Sequence, residues 1–171
     1  CPVRHGICIR EKSRRKLQSL PDGAPATLGE AFARINSVTA PTLTDLKVMV
    51  LVEAAGMRLY EKSAEGTDNP EINALLIENG HEEMKHARRV SEAIRLLSGE
   101  DFPAPSIEDN PYLTGHVPAT PITPEALRGT AQAEFGGDAL YARWADSLDN
   151  ADAAALLRLN GSEESDHGNR L

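Results

Sequence analysis

The chain has 171 residues, enough for one domain with a buried core, and its low aromatic content (4%) and many alanine, leucine and glutamate residues favour helices over sheets. Its formal net charge of −8 argues against general nucleic-acid binding. No apolar window long enough for a membrane span and no signal-peptide pattern is found, which predicts a cytoplasmic protein.

Residues 1–26 are predicted to form a basic, flexible N-terminal arm. Six lysine and arginine residues but one glutamate occur in the first 20 positions, so this segment carries about +5 and the remainder about −13. A solvated tail is the favoured interpretation, and a nucleic-acid-binding arm is the alternative. Cys1 and Cys8 cannot build a disulfide framework, and with His5 they make only a weak metal-site pattern.

Two long helices are predicted in the first half. Thr27 can cap a short helix over 28–36, and the next helix begins after Thr42 or Thr44 and runs to about residue 65. The sequence TDNP at 67–70 stops this helix and starts another, which ends near residue 98 before Gly99.

The second half repeats this organisation. Five prolines in residues 99–122 exclude a helix there and predict an extended link on the surface. Thr123 and Pro124 then start a helix that runs to about residue 147, and a last helix follows Asn150. The domain at 27–171 is therefore predicted to be two helix hairpins, 42–98 and 123–171, joined by a link.

The two hairpins are copies of each other. Residues 53–90 align with 134–171 without a gap, and sixteen of these 38 positions are identical. Six of the repeated residues are ionisable but occupy positions at which the helical periodicity predicts an apolar core residue. They are Glu53, Glu83, His86, Glu134, Glu164 and His167.

Buried carboxylates without partners cost several kcal/mol, on the order of a whole protein's margin of stability. Two divalent cations would balance the four carboxylates, and the two imidazoles would complete the ligand sets. The alternative is a set of polar positions that only fix helix register. Oxygen-rich ligands with one nitrogen per ion favour iron, with manganese next, over zinc.

The stretch ENGHEEMKH at 78–86 contains the Glu-x-x-His pattern twice, but the repeat keeps only one copy of it. Glu78 and His81 become Leu159 and Ser162 in the second hairpin, and they point about 140° away from the retained pair. We therefore expect them to face water.

These residues, together with LYEKSAEGTDNPEINALLIENGHEEMKHA (59–87), resemble the ferritin-like diiron-carboxylate superfamily. The chain is most similar to rubrerythrin-type proteins, and each half resembles the hairpin of encapsulated ferritins. The resemblance implies a four-helix bundle with a long crossover link that reacts an Fe(II) pair with oxygen or hydrogen peroxide. It implies the six residues above as iron ligands, with Glu83 and Glu164 as bridges.

Two departures from rubrerythrins bear on activity. Gly137 stands where those proteins carry an extra glutamate, and the paired CxxC motifs of a rubredoxin-like domain are missing. A peroxidase cycle would then need an external electron donor. A diiron oxygenase acting on an organic substrate and a non-enzymatic metal-binding or assembly protein are the alternatives, and a homodimer remains open.

Other repeated polar residues surround the expected site. Tyr60 and Tyr141 could donate hydrogen bonds to the ligands or relay electrons, although packing with a satisfied hydroxyl is favoured. Asn79 and Asn160 are expected to orient a ligand. Gly56 and Gly137 each make room for a close helix or for oxygen. Glu82 and Glu163 flank the core line and are expected at a solvated edge.

Overall fold

A computed structural model describes residues 17–119 and 121–171. This part of the chain contains helices and no strand, which confirms the all-α class. Most of the predicted N-terminal arm, residues 1–16 with Cys1 and Cys8, lies outside the described residues. The five α-helices are α1 (Leu28–Ser37), α2 (Leu43–Ala64), α3 (Pro70–Ser98), α4 (Pro124–Asp146) and α5 (Ala151–Arg170).

Side-chain caps set the helix boundaries close to the predicted positions. Thr42, rather than Thr44, caps α2, because Thr42 accepts from the Asp45 N–H while the Asp45 carboxylate accepts from the Thr42 N–H. Asn69 with Pro70 starts α3, and Gly99 ends it in the left-handed conformation at φ 75°.

The long helices pack as two antiparallel pairs. Helix α2 packs on α3, α4 packs on α5, and α3 and α5 lie side by side. A large apolar cluster fills one end of the assembly, and a smaller one made of Tyr60, Ala64 and Leu76 fills the other. The fully buried members of the large cluster include Leu46, Met49, Ile94, Trp144 and Leu157. The six candidate ligands lie between the two clusters.

The link between the hairpins is fastened to α2. It forms two short 3₁₀ turns, Ile107–Asp109 and Pro111–Leu113, that contact this helix. The buried Asn110 side chain donates to the Leu51 carbonyl at 2.8 Å, and the Tyr112 hydroxyl donates to the Pro25 carbonyl. These contacts order a segment whose prolines prevent it from continuing either helix.

None of the helices in the described ranges combines the length and the apolar character that a membrane crossing requires.

Candidate metal centre

The structure brings together all six residues that the repeat singled out. Glu53 comes from α2, Glu83 and His86 from α3, Glu134 from α4, and Glu164 and His167 from α5. The two histidine side chains are fully buried, and none of the four carboxylate side chains is more than 10% exposed.

A first cluster surrounds the Nδ1 atom of His86. This nitrogen lies 3.1 Å from Glu164 Oε1 and 3.8 Å from both Glu53 Oε2 and Glu83 Oε2. One ligand atom from each of the four residues falls within 4.8 Å of every other. Two donors bound at about 2.1 Å to the same ion are separated by about 3.0 Å at right angles and about 4.2 Å when opposite. The first cluster therefore has the dimensions of a single-ion site.

A second cluster surrounds His167 in the same way. Its Nδ1 atom lies 3.2 Å from Glu83 Oε1, 3.4 Å from Glu134 Oε2 and 3.7 Å from Glu164 Oε2. Glu83 and Glu164 belong to both clusters, whereas Glu134 belongs only to this one. The arrangement suits two ions that share two carboxylates.

The outward nitrogen of each histidine contacts a carboxylate of the other hairpin. His86 Nε2 lies 3.0 Å from Glu163, and His167 Nε2 lies 3.1 Å from Glu82. Arg89 pairs with Glu163, and Arg170 pairs with Glu82. A charged carboxylate at this distance favours the tautomer that carries its proton on Nε2, with the lone pair of Nδ1 facing inward.

The electrostatics of the two outer carboxylates support that protonation state. Burial alone would raise the pKa of Glu82, but the hydrogen bond and charge of Arg170 outweigh it and lower that pKa to about 2. Arg89 likewise holds the pKa of Glu163 below its ordinary value against the effect of burial. Burial lowers the pKa of His86, which favours a neutral ring with a single proton.

The two carboxylates that belong to both clusters, in contrast, face other acidic groups. Burial, together with the neighbouring carboxylates, raises the pKa values of Glu83 and Glu164 well above their ordinary range. Neither His86 Nδ1 nor His167 Nδ1 makes a hydrogen bond. Cations placed between two unpartnered ring nitrogens and four acidic groups would stabilise this buried arrangement. The residues present therefore fit a pair of divalent ions.

Two tyrosines donate hydrogen bonds across the hairpins to Glu53 and Glu134, the carboxylates that belong to only one cluster each. Tyr141 on α4 donates to Glu53 at 2.5 Å, and Tyr60 on α2 donates to Glu134 at 2.5 Å. Burial raises the pKa of both phenols, and the nearby glutamates add to the effect. Both hydroxyls therefore stay protonated and act as donors to the candidate ligands, the role that was less favoured from sequence.

The repeated asparagines differ from each other. Asn160 donates to the His86 carbonyl at 3.2 Å and accepts from Arg89, so it supports the helix that carries His86. Asn79 donates to the Tyr60 hydroxyl over a long 3.5 Å contact. The expected ligand-orienting role is thus indirect in both cases.

Repeated glycines make room for the ligands and for close helix contact. A Cβ atom on Gly56 would lie 3.1 Å from the Glu83 side chain, and one on Gly137 would lie 3.3 Å from Glu164. A Cβ on Gly80 would lie 2.9 Å from the Cβ of Tyr60. From the sequence, Gly56 and Gly137 could make room either for a close helix or for oxygen. In the structure, the space beside each of them is taken up by the side chain of Glu83 or Glu164, the two carboxylates that belong to both clusters.

The expectation that Glu82 and Glu163 lie at a solvated edge and are not ligands was met only in part, since neither belongs to a cluster but both are less exposed than expected. Both are partly buried and hold the histidines, because the helix that packs opposite each of them supplies a histidine and an arginine. A signal was present in the sequence, since Arg89 and Arg170 repeat in the same frame as the glutamates. Glu78 and His81 are exposed on α3, as the repeat predicted.

A cavity of about 650 Å³ opens beside the carboxylates. It lies between α2 and α4, with part of α1 at its rim, and its floor is formed by the four glutamates of the two clusters. Its volume is within the range of small-molecule sites.

No protein-family model matches the chain, and no curated protein or solved structure is significantly similar to it.

Proposed function

We propose that this chain is a ferritin-like, rubrerythrin-type protein that binds two iron ions and oxidises Fe(II) with oxygen or hydrogen peroxide. The four-helix bundle would be formed by the two repeated hairpins, and manganese is the alternative metal. One observation carries the proposal: two buried Nδ1 atoms without a hydrogen-bond partner each lie within 4 Å of three carboxylates, in a frame that the sequence duplicates. Neither core packing nor helix register requires that arrangement.

The residues divide into four roles. Glu53 and His86 would hold one ion, Glu134 and His167 the other, and the shared carboxylates would bridge them. Tyr60 and Tyr141 fix the unshared carboxylates by hydrogen bonds, and the outer glutamates fix the histidine rings. The shared carboxylates are Glu83 and Glu164, and the outer glutamates are Glu82 and Glu163.

A bound iron pair would supply two electrons, so that two Fe(II), one H₂O₂ and two protons would give two Fe(III) and two H₂O, and an external donor would have to replace those electrons. The chain itself would contribute six side chains that are at most 10% exposed.

A diiron oxygenase is the second candidate, and the cavity is the observation that favours it. Iron oxidation and peroxide reduction need access only for small molecules, whereas an organic substrate needs space for its carbon skeleton beside the metals. About 650 Å³ above the carboxylates provides that space.

Rapid mixing of the Fe(II)-loaded protein with oxygen or peroxide tests the proposal. We expect near-ultraviolet Fe(III) absorbance to rise at least tenfold faster than in buffer. His86→Ala should lose this acceleration, and His81→Ala, which removes an exposed histidine from the same helix, should keep it. Tight binding of about two ions without accelerated oxidation would instead support a non-enzymatic metal-binding protein. Equal behaviour of the two variants would contradict the assignment of His86.

A further inference from the structure

The walls of the cavity between α2 and α4, which we name the α2–α4 cleft, differ in chemistry from its floor. Met49, Val52 and Leu59 line one side on α2. Ala126, Gly129 and Ala133, spaced along one face of α4, line the other. Apolar walls above a few convergent polar groups are the usual composition of a small-molecule site.

Three polar side chains in the walls each donate one hydrogen bond to the backbone of their own helix. Asn36 donates to the Phe32 carbonyl, Ser63 to the Leu59 carbonyl and Thr130 to the Ala126 carbonyl. No lysine, arginine or histidine is among the described residues that line the cleft. An anionic ligand would therefore meet carboxylates and no basic side chain among these lining residues, which disfavours it relative to a neutral one.

The small residues of α4 keep the cleft open. A Cβ atom added at Gly129 or Gly136 would meet nothing within 4 Å, so the space beside these positions is unfilled. Glycine inside a helix is less favourable than alanine, so packing in the helix does not explain these residues. At the floor, by contrast, the Tyr141–Glu53 and Tyr60–Glu134 hydrogen bonds join α2 to α4.

We propose that the α2–α4 cleft binds an uncharged, largely apolar organic molecule whose inner end rests against the candidate metal ligands. A small molecule fits better than a second copy of the chain, because the cleft is lined by residues of all five helices of one chain and ends on four carboxylates. The inference rests on the proposed function only where it makes this ligand a substrate of the metal pair.

Binding of a neutral fluorescent probe to the metal-free protein tests the inference independently of iron chemistry. The probe is N-phenyl-1-naphthylamine, and its anionic counterpart is 1-anilinonaphthalene-8-sulfonate. Wild-type protein should bind the neutral probe at least tenfold more tightly than the anionic one. Ala133→Leu and Gly129→Leu, which fill the cleft from α4, should each weaken neutral-probe binding at least tenfold.

Ala139→Leu is the matched control, because Ala139 is exposed on the same helix but does not line the cleft. It should change probe affinity less than twofold. Equal affinities of Ala133→Leu, Gly129→Leu and Ala139→Leu, or no probe binding by the wild type, would overturn the inference. Light scattering at each protein concentration completes the test, because probe binding that disappears as a dimer forms would assign the cleft to a second copy. Each of these failures leaves the iron-oxidation result of the proposed function untouched.

Discussion

At the scale of single residues, each histidine of the site uses its two ring nitrogens differently. In His86, Nε2 is held by Glu163 while Nδ1 faces the carboxylates without a hydrogen bond. Glu163 thus favours a proton on Nε2 of His86, although Glu163 itself belongs to neither cluster. Such outer partners orient the ligand and raise its basicity.

Replacing Glu163 with alanine should weaken one metal site by about 10- to 100-fold and leave the other nearly unchanged. The reason is that only His86 loses its acceptor, whereas His167 keeps Glu82. Competition between the protein and a chromophoric chelator for Co(II) measures the two affinities separately.

Glu163→Gln keeps an acceptor oxygen and should give an intermediate loss, which a purely structural role of Glu163 would not produce. Asp152→Ala removes an exposed acidic residue from the same helix and serves as the control. An unchanged Co(II) affinity in Glu163→Ala would show that the histidine does not depend on this carboxylate.

At the scale of helices, the boundaries were predictable because they depend on local chemistry. Capping residues, prolines and Gly99 act within a few positions of each other, so the sequence alone located most ends to within about two residues. The choice between Thr42 and Thr44 required Asp45, which completes a capping box only with Thr42. The partner of Asp45 on α1 could not be predicted in this way, since Arg34 is brought to it by helix packing.

Asp45 should stabilise the α1–α2 contact in a pH-dependent manner. Burial raises its pKa, but hydrogen bonds from Thr42 and the nearby Arg34 guanidinium outweigh burial and place the pKa below the ordinary value. A lowered folded-state pKa contributes stability that is present above the unfolded-state pKa and is lost as the pH falls through the folded-state pKa. Asp45→Asn should therefore cost about 1 kcal/mol at pH 7, and the difference should shrink below about pH 4.

Urea unfolding of the metal-free wild type and Asp45→Asn between pH 7 and pH 3 measures this difference. Asp68→Asn, a change at an exposed aspartate before α3, is the control and should stay close to the wild type at every pH. A difference for Asp45→Asn that stays constant across this range would rule out the charge of Asp45 as its source.

At the scale of the whole molecule, each hairpin completes the other. The glutamate that holds His86 and the tyrosine that holds Glu53 both come from the second hairpin, and the reverse contacts come from the first. The repeat indicated which residues would cluster, because ionisable groups recurred at core positions in both hairpins. It could not reveal these pairings or the α2–α4 cleft, since periodicity reports the faces of one helix and not what packs opposite them.

Because the clusters share two carboxylates, single substitutions should differ in how many of the two candidate metal positions they affect. Glu83 contributes to both clusters, whereas Glu53 contributes only to the first. Removing Glu83 should therefore abolish tight binding of both ions, and Glu53→Ala should retain about one ion per chain where the wild type holds about two. Elemental analysis after anaerobic loading with Fe(II) and gel filtration gives the stoichiometry, and circular dichroism verifies that the helices persist.

Glu134→Ala should mirror Glu53→Ala because it removes the unshared carboxylate of the other cluster. One tightly held ion in Glu83→Ala would mean that the two clusters act as separate sites, and the shared-carboxylate arrangement would then have to be abandoned.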